Sequence, residues 1–386
     1  MLKWPIYLDY NATTPCDQRV VEAMLPYFSE QFGNAASRTH YYGWQAEEAV
    51  NIAREEIGKL IGAEPKEITF TSGATESVNL AIKGVFETYA GKGNHIITVT
   101  TEHKAVLDSC KNIEKKGARI TYLDVNELGI IDLKELEAAI APDTILIAIM
   151  YANNETGTIQ PIKEIGAIAK KHGVLFFSDA TQAVGKIPVD VSNDGIDILA
   201  MSAHKFYGPK GVGAIYLRRK NPRVKVTALL DGGGHERGVR SGTLNVPGIV
   251  GLGQAAAIAA IEMQSEQTRL GGLRNKLENA LLQIDGIVVN GSRAQRLSHV
   301  TNISFGQMEA QSLMTGLAKD IAVSSGSACT SASMEPSYVL KALGVSDTLA
   351  FSSIRFSLGR FTTEEEIDYA IEAVKKAVMR NRELVK

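Results

Sequence analysis

The sequence predicts an α/β protein: a large domain on a mostly parallel sheet covered on both faces, joined to a smaller α+β domain. Three observations predict this. Short, nearly unbroken apolar runs alternate with amphipathic stretches through the first part of the chain. That is the pattern of strand–helix–strand units with both sheet faces buried. Polar residues with reactive side chains follow several of those runs directly. The texture then changes after about residue 250, where a long helical stretch gives way to strands of period two.

In chain order, Ala46, Ala49, Val50, Ala53, Ile57, Leu60 and Ile61 follow helical spacing. Ile68-Thr69-Phe70-Thr71 reads as a short strand, and Gly73-Ala74-Thr75 opens the next helix. His95 to Thr100, Ile120 to Val125 and Thr144 to Tyr151 read as strands. Pro161 starts a helix that Gly173 ends, since proline suits a first turn and glycine a C-terminal cap. Val174 to Phe177 is a buried strand ending in Ser178-Asp179. Ile198 to Met201 is another, ending in Ser202-Ala203-His204-Lys205. A helical stretch runs from Val250 to Gln267 and continues beyond Gly272. Val300 to Phe305 alternates with period two. Thr363 and Glu366 form a capping box for a final helix, whose Lys375 to Lys386 end is basic, as the helix dipole favours.

The 386 residues suffice for two or three domains at roughly 100–200 residues each. A composition 45% hydrophobic and 22% charged argues for an ordered globular chain. A net charge of −2 excludes a broadly basic nucleic-acid binder. Cys16, Cys110 and Cys329 are far apart, so neither a disulfide framework nor a C-x-x-C metal pair is expected, and a reducing compartment follows. Met1 to Pro5 leaves no room for a signal peptide. No apolar run long enough for a membrane span is expected. No internal repeat is visible.

Several nucleotide and metal motifs fail. Gly91-Lys92 lacks the required glycine at Phe86. Gly208-Pro209-Lys210-Gly211-Val212-Gly213 has the wrong order for a dinucleotide fingerprint. His235-Glu236 begins like a zinc-protease motif, but Val239 stands where the second histidine belongs.

Four segments remain. Thr71-Ser72-Gly73-Ala74-Thr75-Glu76 feeds a helix N-terminus, whose free N–H groups and positive dipole end suit a phosphate; taken alone, it reads more readily as an ordinary capped turn. Ser178-Asp179-Ala180-Thr181-Gln182 closes an apolar strand with a carboxylate that needs a partner. It suits a pyridinium nitrogen, or an N-cap. In Ser202-Ala203-His204-Lys205, a lysine at a strand end suits a Schiff base, with Lys210 as the local competitor; a lone lysine is ordinarily just solvated. Finally, Ser324 to Ser333 is almost entirely small and polar, so it reads as a mobile loop presenting Cys329. An exposed thiol without a disulfide partner suits a nucleophile, or is a tolerated surface cysteine.

Taken together these segments resemble the NifS-like cysteine desulfurases, in particular the housekeeping IscS-type branch of these fold-type I pyridoxal-phosphate enzymes. The markers run in order from Leu8-Asp9-Tyr10-Asn11-Ala12-Thr13-Thr14-Pro15 to Arg355-Phe356-Ser357-Leu358-Gly359-Arg360. Between them lie Gly33-Asn34, Thr71 to Glu76, Thr101-Glu102-His103, Asn153-Asn154-Glu155-Thr156-Gly157, Ser202 to Lys205, Arg240-Ser241-Gly242-Thr243 and the Cys329 loop. One departure is Ala35, where the family commonly has proline.

The resemblance implies a mostly parallel seven-stranded sheet in a large domain over residues 14–257. A small domain is made of 1–13 and 258–386, with the mobile cysteine loop at about 322–334. It implies that Lys205 holds pyridoxal 5'-phosphate, that Asp179 pairs with the ring nitrogen and Gln182 with the ring hydroxyl. His103 is to stack on the ring and take part in acid–base steps, with Asn154 near the ring hydroxyl and substrate. The backbone at Ala74-Thr75 and the side chains of Thr75, Ser202 and His204 are to hold the phosphate, with Thr243 reaching it from the partner of a homodimer. Arg355 is to clamp the carboxylate of L-cysteine, its planar fork matching two oxygens. For His103 a structural histidine, and for Arg355 a surface ion pair, are the plain alternatives.

The implied reaction gives L-alanine and a persulfide on Cys329, passed to acceptors for iron–sulfur cluster assembly and tRNA thiolation in the cytoplasm. Cys16 and Cys110 are read as structural. Family members often continue past the last helix with a tail that helps dock the iron–sulfur scaffold protein, whereas this sequence ends at Lys386. No direct nucleic-acid, membrane or metal contact is expected. A selenocysteine lyase or an aminotransferase would depend less on Cys329. A catalytically silent docking module would lack bound cofactor.

Overall fold

The computed structural model describes residues 4–306, 308, 310–325 and 335–384. A short strand, β1 (Ile6–Tyr7), precedes the seven strands of one large sheet. These are β2 (Ile68–Thr71), β3 (His95–Val99), β4 (Arg119–Leu123), β5 (Thr144–Ala148), β6 (Leu175–Asp179), β7 (Ile198–Ser202) and β8 (Gly213–Leu217). Their spatial order is β2-β8-β7-β6-β5-β3-β4. Neighbours are parallel except β8, which runs antiparallel to both β2 and β7. The expected mostly parallel, seven-stranded sheet is therefore present.

Successive residues of each central strand enter opposite cores, which is why the strands read as unbroken apolar runs. On one face, Ile147, Phe176, Leu199, Met201 and Tyr216 pack with the helices Tyr41–Ile61 and Val246–Leu281. On the other, Leu146, Phe177, Ile198, Ala200 and Ile215 pack with Ala74–Thr88 and Lys104–Glu114. Each fully buried phenylalanine of β6 contributes roughly 1.5–3 kcal/mol by leaving water.

The local signals mostly hold. Pro161 caps the helix Ile162–His172, and Gly173 ends it at φ +67°, the left-handed region that glycine enters without strain. The Thr363–Glu366 box is closed in both directions, at 3.0 and 3.2 Å. The strand expected to reach Tyr151 ends at Ala148. Even so, Ile149 and Tyr151 still donate backbone hydrogen bonds to Phe177 and Asp179. The sequence did not reveal β8, five apolar residues between glycine-rich and charged turns. Its first residue must be glycine: a Cβ on Gly213 would sit 2.5 Å from the Met201 carbonyl and 2.7 Å from Gly73 Cα.

The remaining strands are β9 (Ile287–Val289), β10 (Val300–Phe305), β11 (Ile321–Ala322), β12 (Ser324–Ser325) and β13 (Ser353–Ser357). They form an antiparallel sheet of order β12-β13-β10-β9 and a two-stranded β1–β11 ladder. The alternation in β10 does not separate core from solvent. Ile303 and Phe305 enter a third core, while Thr301 donates to buried Glu278 at 2.7 Å, and Asn302 and Ser304 accept from Asn290. Burying these polar groups is tolerable because they are paired.

One expectation needs correction. The helix Val246–Leu281 contains a stretch long and apolar enough to cross a membrane. Its apolar residues are shared between two cores instead: Ile249 to Ala259 join the large-sheet core, and Leu270, Leu277 and Leu281 join the small one.

Candidate active site

The C-terminal ends of β2, β3, β5, β6 and β7 deliver their following turns to one cavity of about 550 Å³. This is where parallel sheets bind ligands. Ala74, Thr75, His103, Asn154, Asp179, Gln182, Ser202, His204, Lys205 and Arg355 all line it. Thr243 does not; it is exposed. Cys329 lies outside the described residues, while Ser324, at the near end of its segment, lines the cavity.

Lys205 ends a single 3₁₀ turn immediately after β7. Its ammonium donates to the backbone carbonyls of Asn11 and Ala12 at 2.7 and 2.8 Å. The N-terminal segment thus reaches across the sheet to hold the amine. Asp179 is the last residue of β6 and nearly buried. Thr181 donates to its Oδ1 from both backbone and hydroxyl, and no described residue donates to Oδ2.

His103 caps the helix Lys104–Glu114, its Nδ1 accepting the Ala105 N–H at 3.1 Å. In the neutral ring that bond places the proton on Nε2. Burial holds the ring below the ordinary histidine range, opposed by the charge of Asp179. The structural and the catalytic readings of His103 therefore coexist: one nitrogen caps a helix and leaves the other for chemistry.

The anion cup is also built. Gly73 starts the helix Ala74–Thr88 with no side-chain cap, so the first N–H groups keep their donors. Ser202, His204 and Lys210 line the same end of the cavity. His204 is pushed down to about 4, first by burial and then by the charges of Lys205, Lys210 and Lys186. The positive charges of Lys205 and Lys210 together with the helix N-terminus favour an anion there.

Pyridoxal phosphate fits these residues. The uncapped helix N-terminus with Ser202 and His204 matches its phosphate. The open oxygen of Asp179 matches its ring nitrogen, and Lys205 its aldehyde. Asn154, which lines the cavity, adds an independent mark: its Oδ1 is buried and has no partner among the described residues. A buried amide oxygen without a donor is costly, which points to a ligand that supplies one.

Arg355 is prepared for a carboxylate but is not idle. Nη1 donates to the Asn154 carbonyl at 2.9 Å and Nη2 to Asp9 at 2.7 Å, while buried Nε has no partner among the described residues. Register places it there: Arg355 of β13 pairs with Asn302 of β10 and Ser324 of β12.

Sequence reasoning missed the groups that support these. Asn11 accepts from Lys205 and Gln182 and exchanges a 2.8 Å bond with buried His299. Glu102 is fully buried, holds the Met150 N–H, and accepts from Tyr338 at its backbone oxygen. Glu155 accepts from Ser337 at 2.5 Å. Only their place within the quoted Leu8–Pro15, Thr101–His103 and Asn153–Gly157 motifs marked them. Cys110 is fully buried and pushed up to about 12 by burial, and Cys16 is raised for the same reason, in keeping with structural roles.

Comparison with known proteins agrees with this geometry. The class-V aminotransferase family model matches residues 6–370. The cysteine desulfurase IscS of Anaeromyxobacter sp. (strain Fw109-5) is 58% identical over 384 residues, covering 99% of this chain and 95% of that protein. A solved NifS-like protein superposes with a TM-score of 0.91 at 39% identity, covering 97% of this chain and 99% of the other. The structure of SspA in complex with cysteine gives 0.82 at 37% identity, with 93% and 100% covered. On the breadth of the family match and the identity of its relatives, the chain belongs to the class-V aminotransferase family.

Proposed function

We propose that this chain is a pyridoxal-phosphate-dependent cysteine desulfurase. The observation that carries the reading is the meeting of Lys205, Asp179, His103 and Arg355 around one cavity with an uncapped helix N-terminus. Its relatives named cysteine desulfurase, and one solved in complex with cysteine, support the substrate.

The bound cofactor supplies an electron sink for carbanion chemistry at the amino acid's Cα. The chain's residues do the rest. Asp179 Oδ2 keeps the ring nitrogen protonated. Arg355 takes the substrate carboxylate, fixing which bond faces the reacting centre. Lys205 and His103, the latter through Nε2, would move protons. Cys329 attacks the substrate sulfur as a thiolate; the C–S bond breaks, sulfur joins Cys329 as a persulfide, and the carbon skeleton leaves as L-alanine. Acceptors for iron–sulfur assembly, including the scaffold protein, and for tRNA thiolation then receive the sulfur, in the cytoplasm.

The working unit is a homodimer in which Thr243 reaches the neighbour's phosphate. Thr243 is exposed, and Leu25, Phe28, Phe32, Tyr41, Tyr42 and Trp44 leave an apolar surface that a second copy would cover. The domains divide at 13/14 and 257/258. The first division accords with Ile6 and Leu8 packing in the small core and Val20 in the large one, whereas Ile258 and Ala259, just past the second, still pack in the large core.

Incubating the cofactor-loaded protein with L-cysteine and a reductant tests the reading. L-Alanine and sulfide are expected in equal amounts, and Lys205→Ala should yield neither. Wild-type protein that binds cofactor but forms no alanine would overturn it.

A further inference from the structure

Lys186 stands behind the cavity rather than in it. Its ammonium end donates to Gln182 Oε1 at 2.7 Å, and Gln267 pins its backbone carbonyl at 2.6 Å. No carboxylate lies within ion-pairing distance among the described residues. Burial pushes its pKa well below the lysine range, and the charges of Lys205 and Arg355 push the same way. A lysine kept there without a counter-ion is electrostatically unfavourable, and the contact it does make is with one amide.

That amide has a defined direction. Gln182 Nε2 donates to the Asn11 carbonyl at 3.0 Å. A backbone carbonyl only accepts, so nitrogen must face Asn11 and oxygen must face Lys186. Lys186 has an N–H to give in either protonation state. With Oε1 occupied by Lys186 and one N–H by Asn11, the group that Gln182 has left for the cavity is its second N–H. Gln182 thus has an N–H donor left for the cavity, while its oxygen is held on the Lys186 side.

We propose that Lys186 is a positioning residue that acts through Gln182, holding its amide so that a hydrogen-bond donor meets the oxygen substituent of the cofactor ring. This rests on the placement of Gln182 at that oxygen in the reading above. Without Lys186, Oε1 is left buried and unpaired, and the amide turns away to find a donor. An N–H on the ring oxygen favours its anionic form. Losing it lets the neighbouring nitrogen hold its proton to higher pH.

The test is the pH midpoint of the bound cofactor's visible absorbance, measured on substrate-free holoenzyme. Lys186→Met should raise the midpoint by about one pH unit, the scale of one lost hydrogen bond. Gln182→Leu should raise it by the same amount, and the double variant no further. Gln182→Glu keeps the Lys186 contact but presents an oxygen to the cavity, so it should shift the same way even where Lys186→Met does not fold. A wild-type midpoint in Lys186→Met despite lower thermal stability would overturn the proposal as a merely structural role. Additive shifts would overturn it as well, as would an unshifted Gln182→Glu. A wild-type protein with no visible band would overturn the parent reading together with this one, whereas a band without shifts overturns only this one.

Discussion

Arg355 and Asp9 form an ion pair of 2.7 Å at the cavity wall, their side chains only 7% and 17% exposed. The pair joins β13 to the segment after β1, so the group expected to bind substrate is aimed by a carboxylate the chain supplies itself. Charge-assisted hydrogen bonds from guanidinium are worth roughly 1.5–3 kcal/mol. Arg355→Ala should therefore lower kcat/KM for L-cysteine by roughly 10- to 100-fold. Arg355→Lys should recover little of it, because a point charge does not reproduce the fork. Steady-state kinetics checks both; an unchanged kcat/KM would remove Arg355 from substrate binding.

The anion cup makes a separate prediction. Ser202→Ala and His204→Ala each remove a donor beside the uncapped helix N-terminus. Each should weaken cofactor binding to the apoprotein by roughly 10-fold or more, read by titration of its absorbance. Ser325→Ala, on the short strand β12, should change it little.

Glu155 gives a pH signature. Burial raises its carboxyl to about 7, against the Ser337 hydrogen bond and the charge of Arg355. An unfolded glutamate titrates near ~4.3. Between those values the folded state binds the extra proton, so this group's contribution to stability falls as pH rises from about 4.5 to 7 and is flat above. Glu155→Gln mimics the protonated form and still accepts from Ser337. It should match wild type near pH 4.5 and exceed it at pH 8, by ~2–3 kcal/mol at most. Denaturation at the two pH values checks this; a variant less stable at pH 8 would contradict it.

Thiol chemistry should be equally selective. Burial raises both Cys110 and Cys16, which disfavours their thiolates. Iodoacetamide at pH 7.5 should label Cys329 before either, as peptide mapping reads. Cys110→Ser should leave sulfur transfer unaffected. Faster labelling of Cys16 would move the nucleophile assignment.

The positions of these groups were readable for a physical reason. A parallel sheet with both faces buried writes its strands as apolar runs, and the first polar residues after each run fall at the ligand-binding edge. Asp179 and Lys205 were found this way, and the Thr71–Glu76 turn with them. His103 gave no such signal alone, since a lone histidine is commonly structural; the surrounding motif marked it. What was not readable is the long-range polar scaffold. Asn11 meets Gln182 across 171 residues, Lys205 across 194 and His299 across 288, and no local spacing encodes such contacts. Nothing in the local spacing singled out Lys186 either, since its partner Gln182 and neighbour Gln267 meet it only in the fold. β8 was missed because five apolar residues after a glycine turn carry no period of their own.

The most direct test of the central claim is the intact mass of the protein after incubation with L-cysteine, on wild type and Cys329→Ala, both loaded with cofactor. The account predicts that wild type gains one sulfur atom, removable by reductant, and that the variant gains none. No gain in wild type, or an equal gain in the variant, would contradict it.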